Sequence, residues 1–124
     1  MLNRSGIEKA TYGAPKQILA NVELQSSVSC IVAQAVGVDV NGKKIAKAGT
    51  PIVVDLMNLM TPATAAGAAN MTAVLLHDVD VTKGNANGTA LIFGFVNVNR
   101  VESDVATKIA AVTTNSSGVT FMKV

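Results

Sequence analysis

The stretch TAVLLHDVDVTKGNANGTALIFGFVNVNRV, residues 72 to 101, constrains the fold of this chain more than any other. An apolar run from Val74 to Val81 ends in a period of two, and a second run from Thr89 to Val98 is rich in the β-branched and aromatic residues that favour strands. The glycines and asparagines between the runs tolerate positive φ, which permits a tight turn. The pattern predicts a long β-hairpin whose connection contains Asn87 and Gly88, with at least one residue at positive φ.

Two further segments upstream also favour strands. The region from Val28 to Val40 is rich in β-branched residues and ends in a period of two, and the Asn41-Gly42 pair after it is a strong hairpin signal. Ile52 to Val54 reads as a short strand after a Gly-x-Pro turn. Residues 61 to 69 contain alanines interrupted by proline and glycine, which predicts a loop with at most one helical turn.

The C-terminal region predicts one helix and one strand. Ser103 or Asp104 can cap the start of a helix that ends near Val112. The apolar residues of this segment recur on one helical face, which supports the helix. Residues 119 to 124 read as a terminal strand with Val119 and Phe121 on one side.

These elements predict a mainly β fold with a small α component. Strands and helices do not alternate, so we expect a compact antiparallel β barrel or sandwich-like domain with one short C-terminal helix. A length of 124 residues suits one domain. We assign residues 26 to 124 to that domain and residues 1 to 25 to an N-terminal arm that binds a partner. For this arm, a floppy terminus and a first strand over residues 18 to 24 are open alternatives.

Composition excludes several classes of protein. Charged residues are 15 % of the chain and aromatic residues 3 %, with no tryptophan. So few aromatic residues argue against a single-stranded nucleic-acid binder, whose bases stack on them. The chain lacks an apolar run long enough for a membrane-spanning helix and shows no signal peptide, so we expect neither nucleic acid nor membrane as a partner. The low charge favours self-association.

The residues that could carry chemistry are few. His77, Asp78 and Asp80 could contribute to a metal site, but in a strand His77 and Asp78 point to opposite faces, and two carboxylates are too few ligands. We expect exposed aspartates and a packed or interfacial histidine. Cys30 lies in an apolar run and is expected to be a buried small hydrophobe. The cluster Lys43, Lys44 and Lys47 reads as a solvated turn.

Motifs of catalysis are absent from the sequence. No Gly-x-Ser-x-Gly elbow occurs, and Gly84 and Gly88 lack the Lys-Ser/Thr tail of a phosphate-binding loop. The sequence therefore predicts a protein that is not an enzyme, without catalytic residues, metal or cofactor.

Four segments in a fixed order resemble the head fibre and head decoration (capsid cement) proteins of tailed phages. These proteins carry a KAGTPI…DL segment, an LHDVDVT-G-ANG segment, a GFVN-NR strand, and a last strand after a short helix. The counterparts here are Lys47 to Leu56, Leu76 to Gly88, Gly94 to Arg100 and Val119 to Lys123. The resemblance covers roughly Val28 to Val124.

The resemblance implies a structural protein of the virion that binds the phage major capsid protein on the outer surface of the assembled head. It also implies that the protein forms a homo-trimer. The protein would be in the host cytoplasm during assembly and on the virion afterwards. Large apolar, aromatic and arginine side chains are the expected partner-binding residues, because such residues dominate interfaces. They are Ile7, Tyr12, Ile18, Leu19, Phe93, Phe95 and Arg100.

An alternative is a carrier-barrel-like module, biotinyl or lipoyl, or another small binding domain. The KAGTPI segment also looks like the turn of such barrels, and Lys83 lies at a predicted hairpin tip. The carboxylate and methionine residues that flank the modified lysine of those modules are missing here.

Overall fold

A computed structural model describes residues 17 to 19, 25 to 67 and 70 to 123. The strands in these ranges are β1 (Ser26–Val32), β2 (Val38–Val40), β3 (Lys43–Ala46), β4 (Pro51–Val53), β5 (Thr64–Ala65), β6 (Ala73–Leu75), β7 (Val79–Asp80), β8 (Ala86–Asn97) and β9 (Gly118–Met122). Short 3₁₀ turns occupy Gln34–Val36 and Val98–Arg100, and α1 spans Ser103–Ala110. The fold is therefore mainly β with one short C-terminal helix, as predicted.

The long strand β8 organises the larger of two sheets. It pairs antiparallel with β1 along residues 86 to 93, antiparallel with β6 at residues 90 and 91, and parallel with β9 along residues 93 to 97. Strand β4 continues the sheet beyond β6, and β5 pairs with the far side of β4. The smaller sheet has the order β2-β3-β7, and neither sheet closes into a barrel.

The centre of the larger sheet is buried on both faces because its strands alternate there between two apolar cores. Ala73 and Leu75 of β6 belong to the inter-sheet core, which also takes Ala46 and Val79 from the smaller sheet. Val74, between them in sequence, belongs to the outer core, which contains Ile18, Leu19, Ala48, Ala66, Met71, Leu76, Leu91, Val96 and Val119. The result is a sandwich-like arrangement whose outer side is closed by the segments around α1.

Strand β8 changes phase along its length. Leu91 and Val96 both lie in the outer core although they are five positions apart, an odd offset that a regular strand does not permit on one face. The β1 register slips by one residue between Ser26 and Ser27 at the same level, and Gly94 adopts φ 152°. This irregularity turns the side chains after it to the opposite faces.

The predicted hairpin at Asn41 and Gly42 is confirmed. Val40 of β2 pairs with Lys43 of β3, which leaves a two-residue connection. Both connecting residues have positive φ, 50° for Asn41 and 84° for Gly42, as a tight hairpin turn requires.

The predicted central hairpin is only partly correct. Val74 and Leu75 pair with β8, but the strand ends there, and Val79 and Asp80 pair with β3 in the smaller sheet instead. Crossing between sheets lets Val79 enter the inter-sheet core. The connection to β8 ends before Ala86, and its positive φ is that of Gly84, 142°.

Gly88 lies inside β8, so the prediction of a turn residue is wrong. Its glycine is needed for a different reason. A Cβ at this position would lie 2.8 Å from Val32 Cγ2 and 2.9 Å from Val79 Cγ2, both in the inter-sheet core. Contacts this short require the neighbouring side chains to move, which tightly packed cores resist.

Smaller differences concern the ends of elements. Glu102, rather than Ser103 or Asp104, occupies the N-cap position of α1, and no side chain caps it. Within residues 61 to 67 the chain forms the short strand β5, where the sequence predicts a loop. The terminal strand β9 is confirmed, with Val119 and Phe121 both on the side of the outer core, and it pairs parallel with β8. No helix among the residues in these ranges is long and apolar enough to cross a membrane.

Replacing Gly88 with valine is predicted to destabilise the protein by steric overpacking. The added side chain meets Val32 and Val79, and overpacking of this kind costs about 1–3 kcal/mol. The exposed neighbour Asn87 provides the control, since Asn87→Ala should change stability by less than about 0.5 kcal/mol. Chemical denaturation measures both, and equal stabilities for Gly88→Val and the wild type would contradict the packing.

Candidate partner-binding surfaces

The aromatic pair of β8 forms the first candidate surface, and both of its residues were predicted to bind a partner. The rings of Phe93 and Phe95 meet edge to face, with centroids 6.4 Å apart and an interplanar angle of 69°. Because β8 has changed phase before them, they do not share the outer core with Leu91, and Phe93 is 47 % exposed.

Strand β9 supports the ring of Phe93. Gly118 pairs with Phe93 in parallel register, and a Cβ at position 118 would lie 3.0 Å from Phe93 Cδ1. The ring therefore packs on the bare backbone of Gly118 and against the edge of Phe95. An exposed aromatic side chain held in this way loses little conformational entropy on binding, which favours its use in an interface.

Of the predicted partner-binding residues, the structure brings Phe93 and Phe95 together. Arg100 is exposed at the end of the 3₁₀ turn that follows β8, on the same continuous segment as the aromatic pair. Ile7 and Tyr12 lie outside the described residues.

Ile18 and Leu19 are corrected by the structure. Their exposed fractions are 0 % and 3 %, and both belong to the outer core. Ile18 O accepts a hydrogen bond from Asn97 N at 2.8 Å, and Leu19 forms an antiparallel bridge with Val96. They are part of the domain rather than of an arm that binds a partner. Burial in the outer core removes these apolar side chains from water as contact with a partner would. The rest of the proposed arm over residues 1 to 16 lies outside the described ranges.

Replacing Ile18 with alanine is predicted to cost about 2–5 kcal/mol of folding stability, as removal of a fully buried isoleucine does. The control is Lys83→Ala, at an exposed turn position, which should leave stability nearly unchanged. Urea denaturation of the two variants separates a core position from an arm. A wild-type midpoint for Ile18→Ala would restore the arm assignment.

A second surface was not predicted from the sequence. Between β4 and β5 the chain exposes three large apolar side chains, Leu56 at 51 %, Met57 at 94 % and Met60 at 75 %. The dense run LMNLM was the available signal, but a loop assignment gives no reason to expect these side chains in water. Of the large hydrophobic residues in the described ranges, the remaining strongly exposed one is Phe93.

Local hydrogen bonds hold this methionine loop (residues 55 to 61) in two consecutive turns. Asp55 Oδ1 accepts from Met57 N at 3.0 Å, and Asp55 O accepts from Asn58 N at 3.0 Å. The pattern repeats one turn later, where Asn58 Oδ1 accepts from Met60 N at 3.2 Å and Asn58 O accepts from Thr61 N at 3.1 Å. Leu59 packs against the inter-sheet core. The backbone of the loop is thus anchored, and its exposed apolar side chains project from it into solvent.

The residues considered for metal binding or catalysis do not converge. Asp78 Oδ1 accepts from Ala48 N at 2.7 Å, and Asp80 Oδ1 accepts from the hydroxyl of Thr82 at 2.6 Å. The hydrogen bonds from Thr82 hold the pKa of Asp80 below its usual value. In the ranges the structure covers, no three His, Cys, Asp or Glu side chains are grouped as metal ligands. The aspartates therefore serve to fix the backbone where the chain crosses between sheets.

Cys30 and Lys47 have structural roles as well. Cys30 is buried in the inter-sheet core, and burial raises the pKa of its thiol, which disfavours the reactive thiolate. Lys47, predicted to be solvated with the rest of the cluster, instead forms a 3.1 Å ion pair with Asp104 at the start of α1. Lys83, the carrier-lysine candidate, is exposed in the turn between β7 and β8.

His77 is half-buried, and its Nδ1 is buried without a hydrogen-bond partner. Desolvation lowers the pKa of the ring, although the charge of Asp78 opposes this shift. A histidine whose pKa is lower in the folded state stabilises the fold at neutral pH. That contribution is lost as the pH falls below 6.5, because the unfolded chain then binds the proton more readily.

Stability is therefore predicted to decrease from pH 7.5 to 5.5, by less than the roughly 1.4 kcal/mol per pH unit that one proton allows. His77→Gln should remove most of this slope. The lowered pKa values of Asp80 and Asp104 do not contribute in this window, since both lie below 3.8. Thermal melting across the pH series provides the measurement, and identical slopes for the two proteins would contradict the assignment.

Comparison with known proteins gives no family for this chain. No family model matches its sequence. No curated protein matches it significantly.

Proposed function

We propose that this chain is a structural protein of a tailed-phage virion that binds the outer surface of the assembled head and decorates or stabilises the capsid. The observation that carries this proposal is the ordered set of segments from Lys47 to Lys123 that resembles head fibre and head decoration proteins. Its partner is the major capsid protein. It acts on the virion surface, after a period in the host cytoplasm during assembly.

The aromatic pair of β8 is the surface that we assign to the shell. Phe93 is exposed yet fixed by Phe95 and Gly118, and aromatic side chains of this kind are typical centres of binding energy. Arg100, farther along the same segment, can donate hydrogen bonds at the rim of such a contact.

Decoration of a shell requires no catalytic group. A protein that contacts two neighbouring capsid subunits opposes their separation by its own binding energy. If copies are linked, as in the proposed homo-trimer, several modest contacts act together, and the total affinity exceeds that of one contact by orders of magnitude. Tight binding to the shell then does not require many aromatic residues in each copy.

Binding to purified heads tests the proposal. Heads from the phage that encodes this chain, produced without it, are mixed with the purified protein and sedimented. The wild type should co-sediment to saturation, and Phe93→Asp should bind at least about 30-fold more weakly, equivalent to the roughly 2 kcal/mol of an interface hot spot. A wild type that remains in the supernatant at all concentrations would contradict the function.

The matched control places the same charge elsewhere. Ala35 is exposed in the 3₁₀ turn Gln34–Val36, so Ala35→Asp should bind heads as the wild type does. Melting curves of both variants exclude unfolding as the cause. Equal losses for the two variants would mean that the effect is not specific to the aromatic surface.

A further inference from the structure

The methionine loop ends beside a groove on the surface of the β1–β8 pair. The groove has a volume of about 460 Å³ and is lined by residues 29 to 31 of β1, residues 87 to 89 of β8, and Leu59 and Met60 of the loop. None of these residues carries a charge at neutral pH, since burial keeps the Cys30 thiol protonated. A volume of this size accommodates more than one large side chain.

The groove lining mixes apolar residues with Ser29, Asn87 and Thr89, and neither the groove nor the projecting methionine carries a charge. Met57 projects from the loop with 94 % of its surface exposed, and the loop carries a single charged residue, Asp55. The Asp55 carboxylate accepts a hydrogen bond from the loop's own backbone, at Met57 N. Bringing the loop to the groove therefore removes water from apolar surface without removing it from an unpaired charge, and burial of a methionine side chain is worth about 1.5–3 kcal/mol.

The loop does not fill this groove within its own chain, because Leu59 anchors its centre to the inter-sheet core while Met57 points into solvent. A second copy offers both halves of the contact, and neither half brings an unpaired charge into it. Flexible, unbranched methionine also adapts to a groove of irregular shape better than other apolar residues do.

We propose that Met57 of one copy inserts into this groove of a second copy and that the contact joins the protein into an oligomer. The proposal deepens the proposed function and rests on it for its biological purpose, because linked copies would bridge capsid subunits. It assigns self-association to the methionine loop and leaves the aromatic pair of β8 free to bind the shell.

Molar mass in solution, measured by light scattering over a concentration series, tests the proposal without heads. The wild type should move towards a multiple of the 12.7 kDa chain as its concentration rises. Met57→Asp should raise the dissociation constant of self-association at least about tenfold, since it places an unpaired charge in an uncharged groove. Below the concentration at which the wild type associates, the melting temperatures of the two proteins should agree, because Met57 makes little contact with its own chain. Ala35→Asp, at an exposed position outside the loop and the groove lining, is the matched control and should associate as the wild type does.

A photoreactive benzophenone residue at position 57 locates the contact. It is introduced into an unlabelled chain, which is mixed with a ¹⁵N-labelled wild-type chain and irradiated. Mass spectrometry of labelled peptides should find cross-links to the groove strands, in residues 29 to 31 or 87 to 89.

The outcomes separate the two proposals. A single-chain mass at every concentration, wild-type association of Met57→Asp, or intermolecular cross-links outside the groove would each overturn the inference. If such a monomeric protein still saturates heads, only the self-association surface is wrong. A protein that forms oligomers through Met57 but never binds heads would contradict the proposed function and leave this contact standing.

Discussion

The pairing of β8 with three different strands is the constraint on which the rest of the structure depends. It places β1, β6 and β9 in one sheet and gives the centre of that sheet two buried faces, one in the inter-sheet core and one in the outer core. Gly88 lets the two sheets approach closely. The change of phase before Phe93 then exchanges the two faces for the rest of the strand. As a result, the aromatic pair lies outside the outer core.

Local sequence signals were sufficient for the fold class and for elements whose partners are close in the chain. The hairpin at Asn41 and Gly42 depends on two backbone angles that these residues adopt readily, so the pattern identifies it. Strand β7 could not be placed in the same way. Its alternating residues fit either sheet, and its pairing with β3 is decided by burial of Val79 across a long separation in sequence. The parallel pairing of β9 is a long-range choice of the same kind.

The candidate surfaces were predictable only in part. Residue type selected Phe93 as a candidate for partner binding, but its exposure was not predictable, since regular alternation would have buried it beside Leu91 in the outer core. Ile18 was misassigned because a large apolar side chain is equally well satisfied by its own domain or by a partner. The exposure of Met57 follows from the two successive turns that Asp55 and Asn58 stabilise, and side-chain capping of a turn does not reveal which way its neighbours point.

A cryo-electron microscopy reconstruction of purified virions, compared with particles assembled without this chain, tests the central claim most directly. The account predicts additional density on the outer surface of the head that fits the two-sheet domain, with the β8 end that carries Phe93 and Phe95 facing the major capsid protein. Particles with identical outer surfaces, or density for the chain located inside the shell or on the tail, would contradict it.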